Sequence, residues 1–339
     1  MTERSTAFFI NGGAGRVLTS IPALENYHKE NPDDDFIIVC EGGMDMYKGH
    51  PILHEKAYDA WHKNLFEEHL KNRNCVSPEP YRVWEYYNQK ASLAQAFDIA
   101  INNKGLRDVD VPKIYLNKVE INEAFNVINQ VKSQTGFDKV LIVQPFGRTT
   151  ANTDELVIDP TSRSFNLTDI VDIINELKKE YSIIVMSEFP FALEEGEPKN
   201  PVAMPQIPDI RIWSAIIEMS DHFLGCDSVG QHLAKALGKT ASVVFGSTFP
   251  INTSYVNDKD FDIIDTAENT RVYSPIRMTG EEMQDRINDS CMDLTDKDKQ
   301  EIIKIVKARL GKSVKADIKI ENNTGVTNQP AVILNKSGE

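Results

Sequence analysis

The residues best suited to do chemistry lie between Asp221 and Pro250, in DHFLGCDSVGQHLAKALGKTASVVFGSTFP. Asp227 and Ser228 follow an apolar run, His222 to Cys226, that fits a buried strand. Ser228 is a natural N-cap for the periodic segment Val229 to Leu237, and Gly238 a natural left-handed residue to close it. A second strand, Thr240 to Phe245, opens into the loop Gly246-Ser247-Thr248-Phe249-Pro250. This order of strand, turn, helix, strand and loop sets backbone N–H groups and a hydroxyl at a helix N-terminus. Such a terminus attracts phosphate through its unpaired donors and its dipole. In open α/β sheets, ligands sit beyond the carboxyl ends of the strands, where Asp227 and Gly246 fall. A second glycine-rich turn, Gly12-Gly13-Ala14-Gly15-Arg16, follows the apolar strand Ala7 to Asn11. It lacks the G-x-G-x-x-G spacing and the P-loop lysine, so by itself it is a weak phosphate signal.

Together these segments carry a family resemblance. Asp227-Ser228, His232-Leu233-Ala234 and Phe245 to Pro250 resemble the donor-site signature of glycosyltransferase family nine, the heptosyltransferases of lipopolysaccharide assembly. That pattern reads roughly D-S-G-P-x-H-L-A-A-A-L-G, then a strand, then F-G-P-T-x-P. Here Val229 and Gly230 replace the Gly-Pro pair, and Ser247 replaces the loop proline. The stretch N-G-G-A-G-R-V-L-T-S-I-P-A-L looks like the family's opening G-x-G-D-x-x-x-x-x-P-A-L, and the likeness extends from about Phe8 to Leu310.

The resemblance implies an α/β chain of GT-B type, two Rossmann-like domains facing across a cleft. It also implies metal-independent, inverting transfer of a sugar from a nucleotide-diphospho-sugar, such as ADP-heptose, to an acceptor hydroxyl on a glycan or other molecule. No cofactor beyond that donor is expected. In such chemistry a base takes the acceptor proton while cationic and N–H groups hold the departing diphosphate. Gly13, Asp227, Ser228, His232, Ser247 and Thr248 are the donor-side candidates. Arg163, in S-R-S-F-N-L, matches the cationic position of the family's K-x-W-P segment, and a guanidinium suits a diphosphate as a forked donor. Glu188 ends a strand and is placed to accept ribose hydroxyls. Arg16 stands where the family has its aspartate base, and an arginine cannot deprotonate anything. A cation at a helix N-terminus is disfavoured, so Arg16 is expected to meet an anion: a donor phosphate, an acceptor phosphate or a nearby carboxylate. Glu41, at the carboxyl end of the second strand, is then the nearest candidate base.

Two βα series position these residues. The first has a helix from Val17 to Asn31 with Pro22 in its first turns, a strand from Phe36 to Cys40, and an irregular stretch from Met44 to Ala96. Phe97 to Asn102 reads as a strand like the family's Y-D-x-x-I-D-L-Q-G-L, turning Asn102 and Asn103 toward the cleft. A helix from Lys118 to Gln134 ends at Gly136, giving an acceptor-side domain over 1–135. The second series has strands at Lys139 to Val143 and Ser182 to Met186, separated by a polar loop and a helix capped by Asn166 and Asp169. A helix from Trp213 to Met219 leads into the central unit. Phe261 to Asp265 and Arg271 to Tyr273 read as weak strands, Thr279 to Glu282 as a capping box, and a last helix ends near Leu310. The nucleotide-sugar domain thus covers 136–311, and 312–339 is a polar tail.

Totals narrow the function classes. A length of 339 residues suits two domains of about 150 each. No apolar run approaches the ~18 residues of a membrane span, so no integral membrane segment is expected and a cytoplasmic location is. Cys40, Cys75, Cys226 and Cys291 lack metal-type spacing and read as reduced thiols. The net charge of −14 argues against generic affinity for nucleic acid, and a DNA-modifying glycosyltransferase stands as an alternative reading. His50 and His54 are four apart and His62 and His69 follow, but no strong third ligand is indicated. Surface or aromatic-packing roles, with no metal, are expected there. Replacement of the family's base by Arg16 leaves a competing reading, a nucleotide-sugar-binding protein without catalysis.

Overall fold

A computed structural model describes residues 5–147, 150–152, 157–159, 161–193, 200–271 and 291–316. The chain runs β1 (Thr6–Phe9), α1 (Ala14–Glu30), β2 (Ile37–Cys40), β3 (Ala57–Asp59), β4 (Asn74–Val76), α2 (Trp84–Tyr87), α3 (Leu93–Asn102) and α4 (Lys118–Thr135). It continues through β5 (Val140–Gln144), β6 (Ala151–Asn152), β7 (Val157–Ile158), α5 (Leu167–Leu177), β8 (Ser182–Val185) and α6 (Ile210–Met219). The last elements are β9 (His222–Cys226), α7 (Val229–Ala236), β10 (Ala241–Phe245), α8 (Pro250–Thr253), β11 (Phe261–Asp265) and α9 (Asp296–Leu310).

Nine of the strands form two separate parallel sheets, ordered β3-β2-β1-β4 and β11-β10-β9-β5-β8, and β6 pairs with β7 antiparallel. Ala7 pairs with Ile37 and Cys75 in the first, and Ile142 with Phe223 and Ile184 in the second. The first sheet is built from residues before Gly136 and the second from residues after it. Side-chain alternation along each strand sorts the core. Phe8, Ile38, Ile142, Ile184, Phe223 and Val243 face one shared core that also takes in α1, α3, α4, α6 and α7. Leu141, Val143, Ile183, Val185 and Val244 face the opposite way, toward α5 and α9. Ala7, Ile37 and Val39, on the back of the first sheet, form a small third cluster with Phe9, Tyr58, Ala60, Leu65 and Leu70.

Several local expectations are corrected. Residues 93–102 are helix α3 and not a strand: Ser92 and Gln95 form a reciprocal capping box, and Leu93, Ala96, Phe97 and Ile101 bury one helical face. Asn102 therefore bonds the Ala23 carbonyl and Asp98, Asn103 closes the helix in the left-handed region, and neither lines the cleft. Helix α1 starts at Ala14, which puts Pro22 in its third turn. Asn166 makes no capping bond; its amide donates to Asp293 and Met292, while Asp169 accepts from the Leu294 amide. The capping box at 279–282 and most of the strand at 271–273 lie outside the described residues.

Polar contacts add to the shared core at the junction of the halves, Asn252 among them, which donates to the Tyr86 and Ala91 carbonyls. Gly136 closes α4 with a left-handed φ of 78°, and Ser313 and Val314 then bond the carboxylate of Asp138, so residues 312–316 run beside the connector. Deeper in, Arg211 of α6 is 1% exposed. It donates to both oxygens of Glu120 on α4 (2.7 and 2.9 Å), to the Asp45 carbonyl (3.0 Å) and to the Tyr115 carbonyl (2.5 Å).

Candidate active site

The second sheet changes strand direction of growth between β5 and β9, the place where open α/β sheets bind ligands. Gln144 ends β5 there, and its side chain does two things. Its Oε1 accepts from the Gly230 amide at 2.8 Å, and its Nε2 donates to Ser228 Oγ at 3.2 Å. The cap of α7 thus comes from Gln144. Ser228 holds the N-cap position but makes no capping bond, contrary to the sequence expectation, and its hydroxyl turns into the cavity. Gly230 permits this, since a Cβ there would lie 2.4 Å from Gln144 Oε1.

Around that turn the polar groups interlock. Asp227 is buried and accepts from Gln231 Nε2 and Thr248 Oγ1, both at 2.7 Å, and Gln231 in turn accepts from Ser254. His232 packs beside Gly15 of α1, and its Nδ1 lies 3.0 Å from the Tyr255 hydroxyl. Burial drives the His232 pKa down to about 4, so the ring is neutral at pH 7. Burial also raises the Tyr255 phenol, which stays protonated and can donate to Nδ1, leaving the imidazole proton on Nε2.

Arg163 approaches from the 159–164 loop. Asp159 shapes that loop by accepting from Thr161 and Ser164. Burial alone would raise the Asp159 pKa, but those hydrogen bonds outweigh it and hold the carboxyl below its usual range. Arg163 donates Nε to Thr161 Oγ1 at 2.9 Å, has no ion-pair partner among the described residues, and lines the cavity. Its Nη2 and Ser228 Oγ flank Gly147, at 3.9 and 4.0 Å from where a Cβ would stand.

The opposite wall belongs to α1. No side chain caps this helix, so its first-turn amides lack intrahelical partners where Gly13, Ala14, Gly15 and Arg16 line the cavity. Gly12 makes the turn at a φ of 126°, and a Cβ would strike Arg16 Cδ at 2.8 Å. Arg16 meets a carboxylate, one of the three anions expected, but loosely: Nη2 lies 3.4 Å from Glu79 Oε1 and 3.4 Å from the Pro78 carbonyl. Its guanidinium carbon sits 5.0 Å from the Tyr81 ring centre, and its Nε is buried without a partner.

These walls enclose one cavity of about 1210 Å³. Gly13, Arg16, Arg163, Glu188, Asp227, Ser228, His232 and Thr248 all line it. Glu41 and Ser247 do not. Glu41 is exposed, and Ser247 is buried with its hydroxyl on the Thr161 carbonyl. Three lining groups escaped sequence reasoning. Asp45 follows Gly42-Gly43, is exposed, and its carboxylate has no hydrogen-bond partner among the described residues. Phe146 and Phe189 stack at 5.1 Å and line the cavity, as does Glu188, the neighbour of Phe189 in the chain.

Two parallel sheets with a cavity beyond the carboxyl ends of both define a GT-B type of fold. The fold is that of glycosyltransferase family 9. The family 9 glycosyl transferase of Veillonella parvula DSM 2008 matches with a TM-score of 0.64 and 12% identity over 91% of this chain and 97% of that one. The E. coli ADP-heptose lps heptosyltransferase II gives 0.60 and 10% over 90% and 98%. The iron-containing dodecameric glycosyltransferase TibC of enterotoxigenic E. coli H10407 gives 0.57 and 11% over 91% and 78%. No protein-family model matches the chain, and no curated protein matches it by sequence. Among the described residues, no helix is long and apolar enough to cross a membrane.

Proposed function

We propose that the chain is a glycosyltransferase that moves a sugar, heptose being the leading candidate, from a nucleotide-diphospho-sugar to an acceptor hydroxyl with inversion and without a metal. The observation that carries this is the convergence of two uncapped or externally capped helix N-termini and Arg163 on one cavity of the family 9 fold. The diphosphate lies against the α7 turn, where Ser228, the proton on His232 Nε2 and the Arg163 guanidinium supply donors and positive charge. The nucleoside lies with its base against Phe146 and Phe189 and its ribose hydroxyls on Glu188. Asp227 is engaged by Thr248 and Gln231 and serves to orient them.

The acceptor enters from the α1 side. Its hydroxyl attacks the anomeric carbon opposite the diphosphate, the C–O bond to phosphate breaks, and a base takes the hydroxyl proton. We assign that base to Asp45 in place of Glu41, since Asp45 lines the cavity with an unengaged carboxylate. Arg16 holds an acceptor or donor phosphate by exchanging its long contact to Glu79 for a closer anion.

The test is turnover. Incubation with ADP-, UDP- and GDP-sugars, with and without candidate glycan acceptors, should release nucleotide diphosphate from one donor in an acceptor-dependent way. Tight donor binding with no release under any acceptor would favour the binding-protein alternative, which the arginine at position 16 motivates.

A further inference from the structure

Away from the cavity, the segment that joins β3 to β4 gathers a ligand set of its own. We propose that His62, Glu68 and His69 form a binding site for zinc or a similar first-row divalent cation, acting on the stability of the first sheet. Their ligand atoms all lie within 4.8 Å of one another, and no other such group of three occurs among the described residues.

Local backbone geometry brings them together. After β3 the His62 amide bonds the Asp59 carbonyl, and Asn64 reverses the chain at a φ of 59°. Phe66–Leu70 then makes a π-type turn, closed by the Lys71 amide on the Phe66 carbonyl. Such wide turns are rare and concentrate at functional sites. This one carries Glu68 and His69 back beside His62. The two imidazoles sit 5.1 Å apart, and Tyr58 packs against both, at 4.0 Å from His69 and 5.5 Å from His62. Asn64 Nδ2 donates to Glu68 Oε1 at 3.0 Å, an outer contact of the kind that orients a ligating carboxylate.

The donor set fits the cation. Two imidazole nitrogens and one carboxylate oxygen hold zinc at about 2.0–2.2 Å and leave a fourth position for water. His62 and Glu68 are exposed and His69 half-buried, so rotamer changes can close the remaining gap. Of the two histidines before β3, the buried His50 is committed elsewhere, facing Glu25 through Nε2 and accepting the Ile52 and Leu53 amides on Nδ1. The consequence is mechanical. Tyr58, Ala60, Leu65 and Leu70 cover the back of the first sheet, so a cation joining residues 62 and 69 ties that cover together. None of the three ligands lines the active-site cavity.

Zinc chloride titrated calorimetrically into metal-stripped full-length protein tests the site. Wild type should bind one equivalent. His62→Ala, His69→Ala and Glu68→Gln should each weaken binding by more than the about 10–100-fold that loss of an outer contact costs, while His54→Ala, at an exposed histidine outside the group, should not. Zinc should also raise the thermal midpoint of wild type and leave that of His62→Ala unchanged. Equal affinity in wild type and both histidine variants would overturn the proposal. So would zinc binding that survives in them and disappears in Cys75→Ser, since Cys75 is the exposed thiol of β4.

Discussion

The two helix N-termini that face the cavity solve the same problem in opposite ways. At α7 the turn is held by side chains of other elements, Gln144 capping the helix, Thr248 holding Asp227 and Tyr255 holding His232, with Gln231 of the helix itself also on Asp227. At α1 the turn is mostly glycine backbone, no side chain caps it, and Arg16 rests on long contacts and an aromatic face. A fixed network presents donors at set positions, as suits a leaving group whose geometry never changes. An open turn with one loosely held cation suits a partner that arrives and departs.

The largest effect expected from this contrast falls on Asp45, the free carboxylate beside the open turn. Asp45→Asn should lower turnover by ~10²–10⁴-fold with donor affinity unchanged, measured by nucleotide release and by calorimetry. A loss of donor affinity with turnover intact would move Asp45 to the binding side.

Acid should weaken the fold at two buried rings, one of them in the fixed network. His232 and His222 both have pKa values driven down to about 4 by burial, and His222 is further enclosed by Thr240 and Ser242. The unfolded chain, with histidines near ~6.5, then binds more protons than the folded one between those values. Their contribution is full above pH ~6.5 and falls as the pH drops toward 4, by up to about 3 kcal/mol each. Urea midpoints across that range should decline, and a flat profile would mean the two rings are not neutral in the fold.

The smallest effect separates the two arginines. Arg163→Ala should cost ~2 kcal/mol of nucleotide-diphosphate affinity, about 30-fold, as for a hydrogen bond to a charged group. Arg16→Ala should cost less, since this largely buried side chain stands at the other turn and already has Glu79 for an anion. Equal losses at one salt concentration would erase the distinction between the turns.

What was legible in the sequence was local. The α7 turn announced itself because Asp227, Ser228, His232 and Thr248 stand close in the chain and keep a family's spacing. The cap of that helix was not legible, because Gln144 lies 84 residues from Ser228 and no short-range pattern marks it. Helix α3 carried a readable box in Ser92 and Gln95 and a helical burial period, but its ending resembles a strand of the family and that resemblance prevailed. Asp45 looks like any turn carboxylate until β2 and α1 aim the 42–45 loop at the cavity. An acid two residues after Gly42-Gly43, beyond Met44, was the available signal.

Arg211 has one further consequence. Its guanidinium grips the Asp45 carbonyl from α6, in the second half, while its Glu120 partner sits on α4, which packs on α6 and β8. The short loop holding Asp45 is therefore tied to the second half, although the chain reaches it from the first sheet. Swapping the first half for that of a relative would transplant the α1 wall of the cavity and remove Glu120, leaving Arg211 of α6 buried without its carboxylate unless the incoming half supplied one. In modular terms the boundary of exchange is drawn by a salt link and not by the connector at Gly136.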